Sequence, residues 1–197
     1  TEMPGLIANV YYRQKKYDAL VAYTEPLLKN KRSGVKLDDL ALLTAEVYYQ
    51  KGNFEQAVVY YNQFASVRGN RMPAQAQFRY GYSLYRANDY KKAIDALKGV
   101  AANKDTVGQY ASYYMGISHL KSDNPNAALL SFDQARKLKF NKEVQEEAAF
   151  NHAKIQLDLN KGTDAIKEFE EFLKTYPDSR FENEANELIS ESYLNSN

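Results

Sequence analysis

Asn53-Phe54-Glu55-Gln56-Ala57-Val58 decides the fold, because the chain repeats it. The segment is a short polar turn followed by an aromatic-x-x-Ala-aliphatic run. It returns downstream as Asp89-Tyr90-Lys91-Lys92-Ala93-Ile94 and upstream as Lys16-Tyr17-Asp18-Ala19-Leu20-Val21. Looser copies are Asn124-Pro125-Asn126-Ala127-Ala128-Leu129 and Lys161-Gly162-Thr163-Asp164-Ala165-Ile166. The fourth residue of the aromatic unit falls at 20, 57, 93, 128 and 165, so the spacings are 37, 36, 35 and 37. Nine residues before each aromatic position stands a small residue: Ala8, Ala45, Gly81, Gly116 and Ala153. One more step of 37 reaches Ser190, followed by Tyr193. Two anchors held in register at this period mark stacked repeat units.

Each unit reads as two amphipathic helices. Phe54, Ala57, Val58, Tyr61, Phe64 and Ala65 form one apolar stripe at helical spacing. Alternation at period two is not sustained, so the chain is expected to be all-α. Asn53 followed by Gln56 resembles a capping box, and Ser179 followed by Glu182 a stronger one. Asn124 before Pro125 supplies a cap and a proline at the first helical position, a place that also suits Pro73. Gly52, Asn88 and Asn160 end first helices, where a left-handed residue is common. Pro26 lies inside the second helix of the first unit and should kink or end it. The small residue of the first helix and the Ala of the second let the pair cross closely. One pair cannot bury both apolar faces alone, and stacking completes the burial.

These residues resemble the tetratricopeptide repeat family along the whole chain. Its motif runs aromatic-x-x-Leu-Gly-x-x-Tyr, then Ala, Phe/Tyr, Ala and Pro. The Gly/Ala position is Ala8, Ala45, Gly81, Gly116 and Ala153, and the Tyr position is Tyr11, Tyr48, Leu84, His119 and Gln156. The second-helix Ala position is Leu20, Ala57, Ala93, Ala128 and Ala165. The following aromatic position is Thr24, Tyr61, Leu97, Phe132 and Phe169, and the closing proline survives as Pro177. The resemblance implies a right-handed superhelix, an α-solenoid of antiparallel helix pairs with about eleven helices in a single domain. Its units run approximately 1–36, 37–72, 73–106, 107–141 and 142–178, with a terminal helix at 179–195 that is either a cap or the start of further repeats. Repeats longer than the family's 34 imply longer turns between units. Thr175-Tyr176-Pro177-Asp178-Ser179 followed by Glu184-Ala185 is similar to a junction of bacterial envelope repeat proteins, especially multi-repeat proteins of Bacteroides-like bacteria. That implies a periplasmic or outer-membrane-associated protein, with a cytoplasmic one as the alternative.

Composition narrows the chemistry. The chain has no cysteine, which excludes disulfides, thiolate nucleophiles and Cys-ligated zinc. No apolar run is long enough to span a membrane. The net charge of +1 gives no reason to expect nucleic acid, but it hides an asymmetry. Residues 1–98 carry 15 Lys/Arg and 9 Asp/Glu; residues 99–197 carry 11 and 16. His119 and His152 occupy the motif's Tyr and Leu positions, so both read as helix-packing residues. The clusters Glu143, Glu146, Glu147 and Glu168, Glu170, Glu171 read as solvated faces, as do the runs Lys15-Lys16, Lys91-Lys92 and Arg136-Lys137-Lys139. No phosphate loop, dinucleotide fingerprint, His-Glu-x-x-His or Gly-x-Ser-x-Gly is present. No catalytic residue, metal or cofactor is expected, and the chain is read as non-enzymatic.

The family's working surface is the concave face of the first helices. The resemblance places Phe78, Tyr82, Tyr85 and Arg86 there from the third unit, and Tyr110, Tyr113, Ile117 and Lys121 from the fourth. Leu42, Glu46, Tyr49 and Gln50 come from the second, Phe150, Lys154 and Leu157 from the fifth. Such a tyrosine-rich groove suits a protein or peptide partner. Arg79, Arg86, Lys121 and Lys154 would be rim charges that steer it. The carboxylate clamp of co-chaperone members is not formed. Asn9 matches its first Asn position, but Leu43 and Gly5 stand at the second Asn and basic positions. The reading is an interaction scaffold, with an end-to-end assembly module and a cytoplasmic co-chaperone-like adaptor as alternatives.

Overall fold

The computed structural model describes residues 3–30, 36–68, 71–159 and 161–194. Among them are eleven helices and no strand. They are α1 (Met3–Arg13), α2 (Tyr17–Lys29), α3 (Leu37–Gln50), α4 (Phe54–Arg68), α5 (Ala74–Arg86), α6 (Tyr90–Ala101), α7 (Thr106–Lys121), α8 (Pro125–Lys137), α9 (Lys142–Asp158), α10 (Gly162–Thr175) and α11 (Glu182–Leu194). Odd-numbered helices are the first of each pair and even-numbered helices the second. Three residues separate the helices within every pair, and four to seven separate one pair from the next. The extra residues that lengthen the repeat therefore lie between pairs.

Four of the three-residue turns share one backbone geometry. Lys15, Gly52, Asn88 and Asp123 all have positive φ, at 55°, 72°, 62° and 56°. They stand at the repeat period. The equivalent Asn160 lies outside the described residues, as does Asn195. At each described turn the left-handed residue donates its N–H to a carbonyl three residues back, as from Gly52 to Tyr49 at 3.0 Å. The next residue donates five back, as from Asn53 to Tyr48 at 2.9 Å. Two carbonyls of the ending helix are thereby satisfied. The residue that closes one helix also opens the other. Asn53 and Asn124 accept the N–H of Gln56 and Ala127, each at 3.2 Å, and Asp89 accepts that of Lys92 at 3.3 Å. Lys16 and Lys161 make no such side-chain cap. Pro125 takes the first helical position, whereas Pro73 sits one residue earlier, at the cap of α5. The Ser179 box does not form. Its hydroxyl accepts the Phe181 N–H at 3.0 Å and donates to Glu146 at 2.5 Å, while the Glu182 N–H bonds the Ser179 carbonyl. Pro26 does not end α2 either; the helix runs on to Lys29, and the Asn30 N–H bonds the Pro26 carbonyl at 3.1 Å. One turn remains beyond the ring, enough to close that last bond.

The chain forms two compact units, residues 1–96 and 97–197, and the division falls inside α6. In unit 1, α1 to α4 pack around Ala8, Leu28, Leu40, Ala45, Ala57, Tyr61 and Phe64. In unit 2 one cluster joins Ala128, Phe132, Ala148 and Ile155, and another joins Phe150, Ala165, Phe169 and Phe172. The motif positions of the second helices are fully buried. Leu20, Ala57, Ala93, Ala128 and Ala165 are 0% exposed, as are Thr24, Tyr61, Leu97, Phe132 and Phe169. Burying a ring such as Phe132 stabilises by about 2–3 kcal/mol. A Cβ on Gly116 would lie 3.0 Å from that ring, which is why the crossing point needs a small residue. Thr24 replaces the aromatic in the first pair. Its hydroxyl lies 2.7 Å from that of Thr44, which donates to the Leu40 carbonyl, so the buried polar pair is satisfied.

Candidate functional site

Unit 1 gathers an aromatic cluster on its first-helix face. Tyr82 on α5 is half-buried and central. It meets Tyr49 of α3 edge-on at 5.9 Å, Phe54 of α4 at 5.5 Å, Phe78 at 6.1 Å and Tyr85 at 6.0 Å. Helical spacing puts Phe78, Tyr82 and Tyr85 on one side of α5, and the turn before Phe54 swings that ring onto the same cluster. Arg86 caps it. Its guanidinium lies 4.4 Å from the Phe54 ring centre and 5.8 Å from that of Tyr82, and donates to the Tyr82 hydroxyl at 3.0 Å. Such stacking holds a cation in one place while leaving it exposed.

Beneath this cluster runs a polar network. Glu46, only 8% exposed, pairs with Arg79 and accepts the Tyr61 hydroxyl at 2.7 Å. Arg79 also lies 5.4 Å over the Tyr49 ring. Burial, followed by the Glu46 charge, pushes the Tyr61 hydroxyl far above its ordinary value. Arg79 is therefore a half-buried internal cation rather than a steering charge at the rim. A second carboxylate, Glu25, accepts the hydroxyls of Tyr48 at 2.7 Å and Tyr60 at 2.8 Å. Burial works against its charge, but the two donors outweigh it and hold the carboxyl below the usual range. Burial and this bond raise Tyr48 to about 12. A cavity of about 340 Å³ opens between α1 and α3, lined by Leu6, Asn9, Lys36, Asp39 and Leu42 among others. Gly5, Asn9 and Leu43, the clamp positions, all border it, and the Asn9 amide donates to the Gly5 carbonyl at 2.9 Å.

Unit 2 treats its aromatics differently. Phe150 is 3% exposed and stacks on Phe181 at 4.4 Å, so it is core rather than binding surface. Phe78 in unit 1 is likewise only 9% exposed. Tyr113 donates to Glu147, which also pairs with Arg180, linking α7, α9 and the turn before α11. Asn141 donates to the Tyr110 hydroxyl at 3.0 Å. Lys154 pairs with Glu184 of α11 at 2.6 Å. Ile117 is half-buried, and Lys121 is exposed. Glu146, Glu147 and Glu168 are thus structural acceptors, not members of a merely solvated face.

Gln109 is a residue that sequence reasoning missed. It is 0% exposed, donates to the Leu138 and Asn141 carbonyls at 2.6 and 3.1 Å, and accepts the Asn141 N–H at 2.7 Å. Its side chain fastens the loop between α8 and α9. Asp38, at the same register in the second pair, bonds Arg68 at the end of α4, and Glu146 does the same for Ser179. The signal was a polar residue seven places before the small one in the second, fourth and fifth pairs, Asp38, Gln109 and Glu146; the third pair has Ala74 there.

His152 lies 2.5 Å from Glu168, a pair that could in principle hold and orient a proton. The histidine is only 5% exposed, and Arg136 faces the same carboxylate at 3.7 Å. Burial opposes the Glu168 charge, but His152 and Arg136 lower its pKa on balance. Burial lowers the pKa of His119. Among the described residues no group of three His, Asp or Glu could hold a metal ion, and no helix is long and apolar enough to cross a membrane.

Helix pairs recurring every 35–37 residues, four of them closed by the same left-handed turn among the described residues, define a helical-repeat protein. Tetratricopeptide repeat models match residues 42–106 and 147–179, and the chain belongs to that family. It resembles the crystal structure of MamA, at 18% identity and a TM-score of 0.69, over 89% of this chain and 91% of that one. A second likeness is to YrrB, described as a TPR protein with an unusual peptide-binding site, at 15% identity and 0.71, over 91% and 88%. A third is to a tetratricopeptide repeat protein from Parabacteroides merdae, at 13% and 0.64, over 98% and 72%. At these identities the likeness is one of fold. No curated protein matches the chain by sequence. Tetratricopeptide repeat proteins are generally non-enzymatic modules that bind other proteins, and the match supports a protein-interaction scaffold here.

Proposed function

We propose that the first-helix face of unit 1 binds an extended, acidic protein segment. The observation that carries this reading is Arg86, exposed yet held over Phe54 and Tyr82 at the edge of the aromatic cluster. Tyr49, Tyr82 and Tyr85 supply contact area with little side-chain entropy to lose. Glu46, the carboxylate beneath these rings, is already neutralised by Arg79. Unit 1 carries 14 Lys/Arg against 9 Asp/Glu, a net +5 that favours the same partner. The peptide-binding site named for YrrB lends the reading general support. Placement in a bacterial envelope complex is part of the proposal and rests on the Tyr176-Pro177 junction.

Selection of random peptides on the protein tests the site. Acidic peptides with apolar neighbours should be enriched, and Tyr82→Ala or Arg86→Glu should weaken them by about tenfold or more. Lys154→Ala in unit 2 should leave them unchanged. Equal loss in all three variants, or enrichment of basic peptides, would refute the assignment.

A further inference from the structure

Tyr49 and Phe54, which both meet Tyr82, belong to a pattern set by the repeat register. They stand four and nine residues after the small residue of their pair. The same two places hold Tyr12 and Tyr17 in the first pair, and Tyr85 and Tyr90 in the third. In each pair the two rings touch across the turn, with centres 6.1, 5.9 and 6.1 Å apart and planes inclined at 48°, 78° and 52°. All six are half-buried. Two rings inclined in this way bound a notch rather than a flat platform. The notches are joined: Arg79, over the Tyr49 ring, bonds the Tyr12 hydroxyl, and Tyr82 touches Tyr49, Phe54 and Tyr85.

The turn itself does not require the rings. In unit 2 the equivalent places are Leu120 with Pro125 and Leu157 with Gly162. The turn at Asp123 still closes with the same backbone bonds, Asp123 to Leu120 at 3.1 Å and Asn124 to His119 at 2.9 Å. The charges differ in the same sense. Residues 12–18, 49–55 and 85–91 carry six Lys/Arg and three Asp/Glu, whereas residues 120–126 and 157–163 carry two of each.

Spacing identifies what the notches fit. α1 packs on α3 and α3 on α5, so successive first helices lie about 8–10 Å apart. A polyproline II helix advances about 9 Å per turn of three residues. One turn of such a segment matches one step of the repeat, and every third residue meets the next notch. An α-helix advances about 5.4 Å per turn, and a strand returns to the same face about every 6–7 Å, so neither keeps step. We propose that the acidic segment bound by unit 1 is a polyproline II helix. Its prolines seat in the Tyr12–Tyr17, Tyr49–Phe54 and Tyr85–Tyr90 notches, and its carboxylates face the exposed Arg13, Lys15, Lys16 and Arg86. This rests on the reading of the unit 1 face as a binder of acidic segments, and adds the segment's conformation and its residue type. A polyproline helix is extended before it binds, so little chain entropy is lost.

Three labelled peptides of about nine residues, three turns of polyproline II, are titrated into the full 197-residue chain and followed by fluorescence anisotropy. Pro-Pro-Glu triplets should bind about tenfold or more tightly than Gly-Ser-Glu triplets of the same length and charge. Pro-Pro-Lys triplets should bind more weakly than either. Tyr49→Leu with Tyr85→Leu installs the residue that the fourth and fifth pairs carry at that place, so circular dichroism should be unchanged. This variant should bind the two acidic peptides alike. Equal binding of the two acidic peptides by the wild type overturns the polyproline assignment and leaves the acidic reading standing. Binding of neither, or a preference for Pro-Pro-Lys, overturns both. A preference for Pro-Pro-Glu that persists in the double variant overturns the notches as its source.

Discussion

The two units use the same repeat to different ends, and the difference lies in what holds their tyrosines. In unit 1 the rings of Tyr49, Phe54, Tyr82 and Tyr85 meet one another, and arginines lie over them. The acid of that region, Glu46, is spent internally. In unit 2, Tyr110 and Tyr113 are bonded through their hydroxyls to Asn141 and Glu147, and cross-helix pairs such as Lys154–Glu184 lie alongside. A count of tyrosines therefore does not locate a binding surface. The charges around them decide whether a ring offers a face or serves as a strut.

The largest effect should come from Glu46→Ala. It strands Arg79 and the Tyr61 hydroxyl in the interior of unit 1, so unfolding in urea should show a loss of about 3–5 kcal/mol. Glu147→Ala in unit 2 frees Arg180, which sits at the surface, and should cost about 1 kcal/mol. Equal losses would erase the distinction between internal and surface networks. Gln109→Leu comes next. It leaves the Asn141 N–H and loop carbonyls without their partner and should destabilise unit 2 by about 2–3 kcal/mol. The smallest effects belong to the turns, where the two units are alike. Gly52→Ala at φ 72° should cost about 1–2 kcal/mol, whereas Lys15→Gly at φ 55° should stabilise by about 1 kcal/mol. A loss from Lys15→Gly, read by thermal denaturation, would show that the lysine side chain matters more than its backbone.

Much of the fold was legible because it is periodic. The positions of Ala57 and Tyr61, and their equivalents, recur in the sequence and are all fully buried. The left-handed turn could be read at Gly52 and Asn88, whose residue types favour it, but not at Lys15 or Asp123, where only the register revealed it. Ser179 misled because its hydroxyl had a stronger partner, Glu146, 33 residues away in the chain. The site was legible in its elements but not in its wiring. Tyr82 and Arg86 follow from helical spacing, yet Arg79 pairs with a carboxylate on another helix, and no local pattern announces that. Phe150 stood at a surface position of the motif and was claimed by Phe181 from the next pair.

Ring resonances of the tyrosines separate the two units in one experiment. A peptide enriched by selection is titrated into the protein, and the side-chain signals of Tyr49, Tyr82 and Tyr85 are followed beside those of Tyr110 and Tyr113. The unit 1 rings should shift saturably, lose the response in Arg86→Glu, and leave the unit 2 rings in place. Shifts confined to Tyr110 and Tyr113, or a response in unit 1 that survives Arg86→Glu, would contradict the assignment of the binding face.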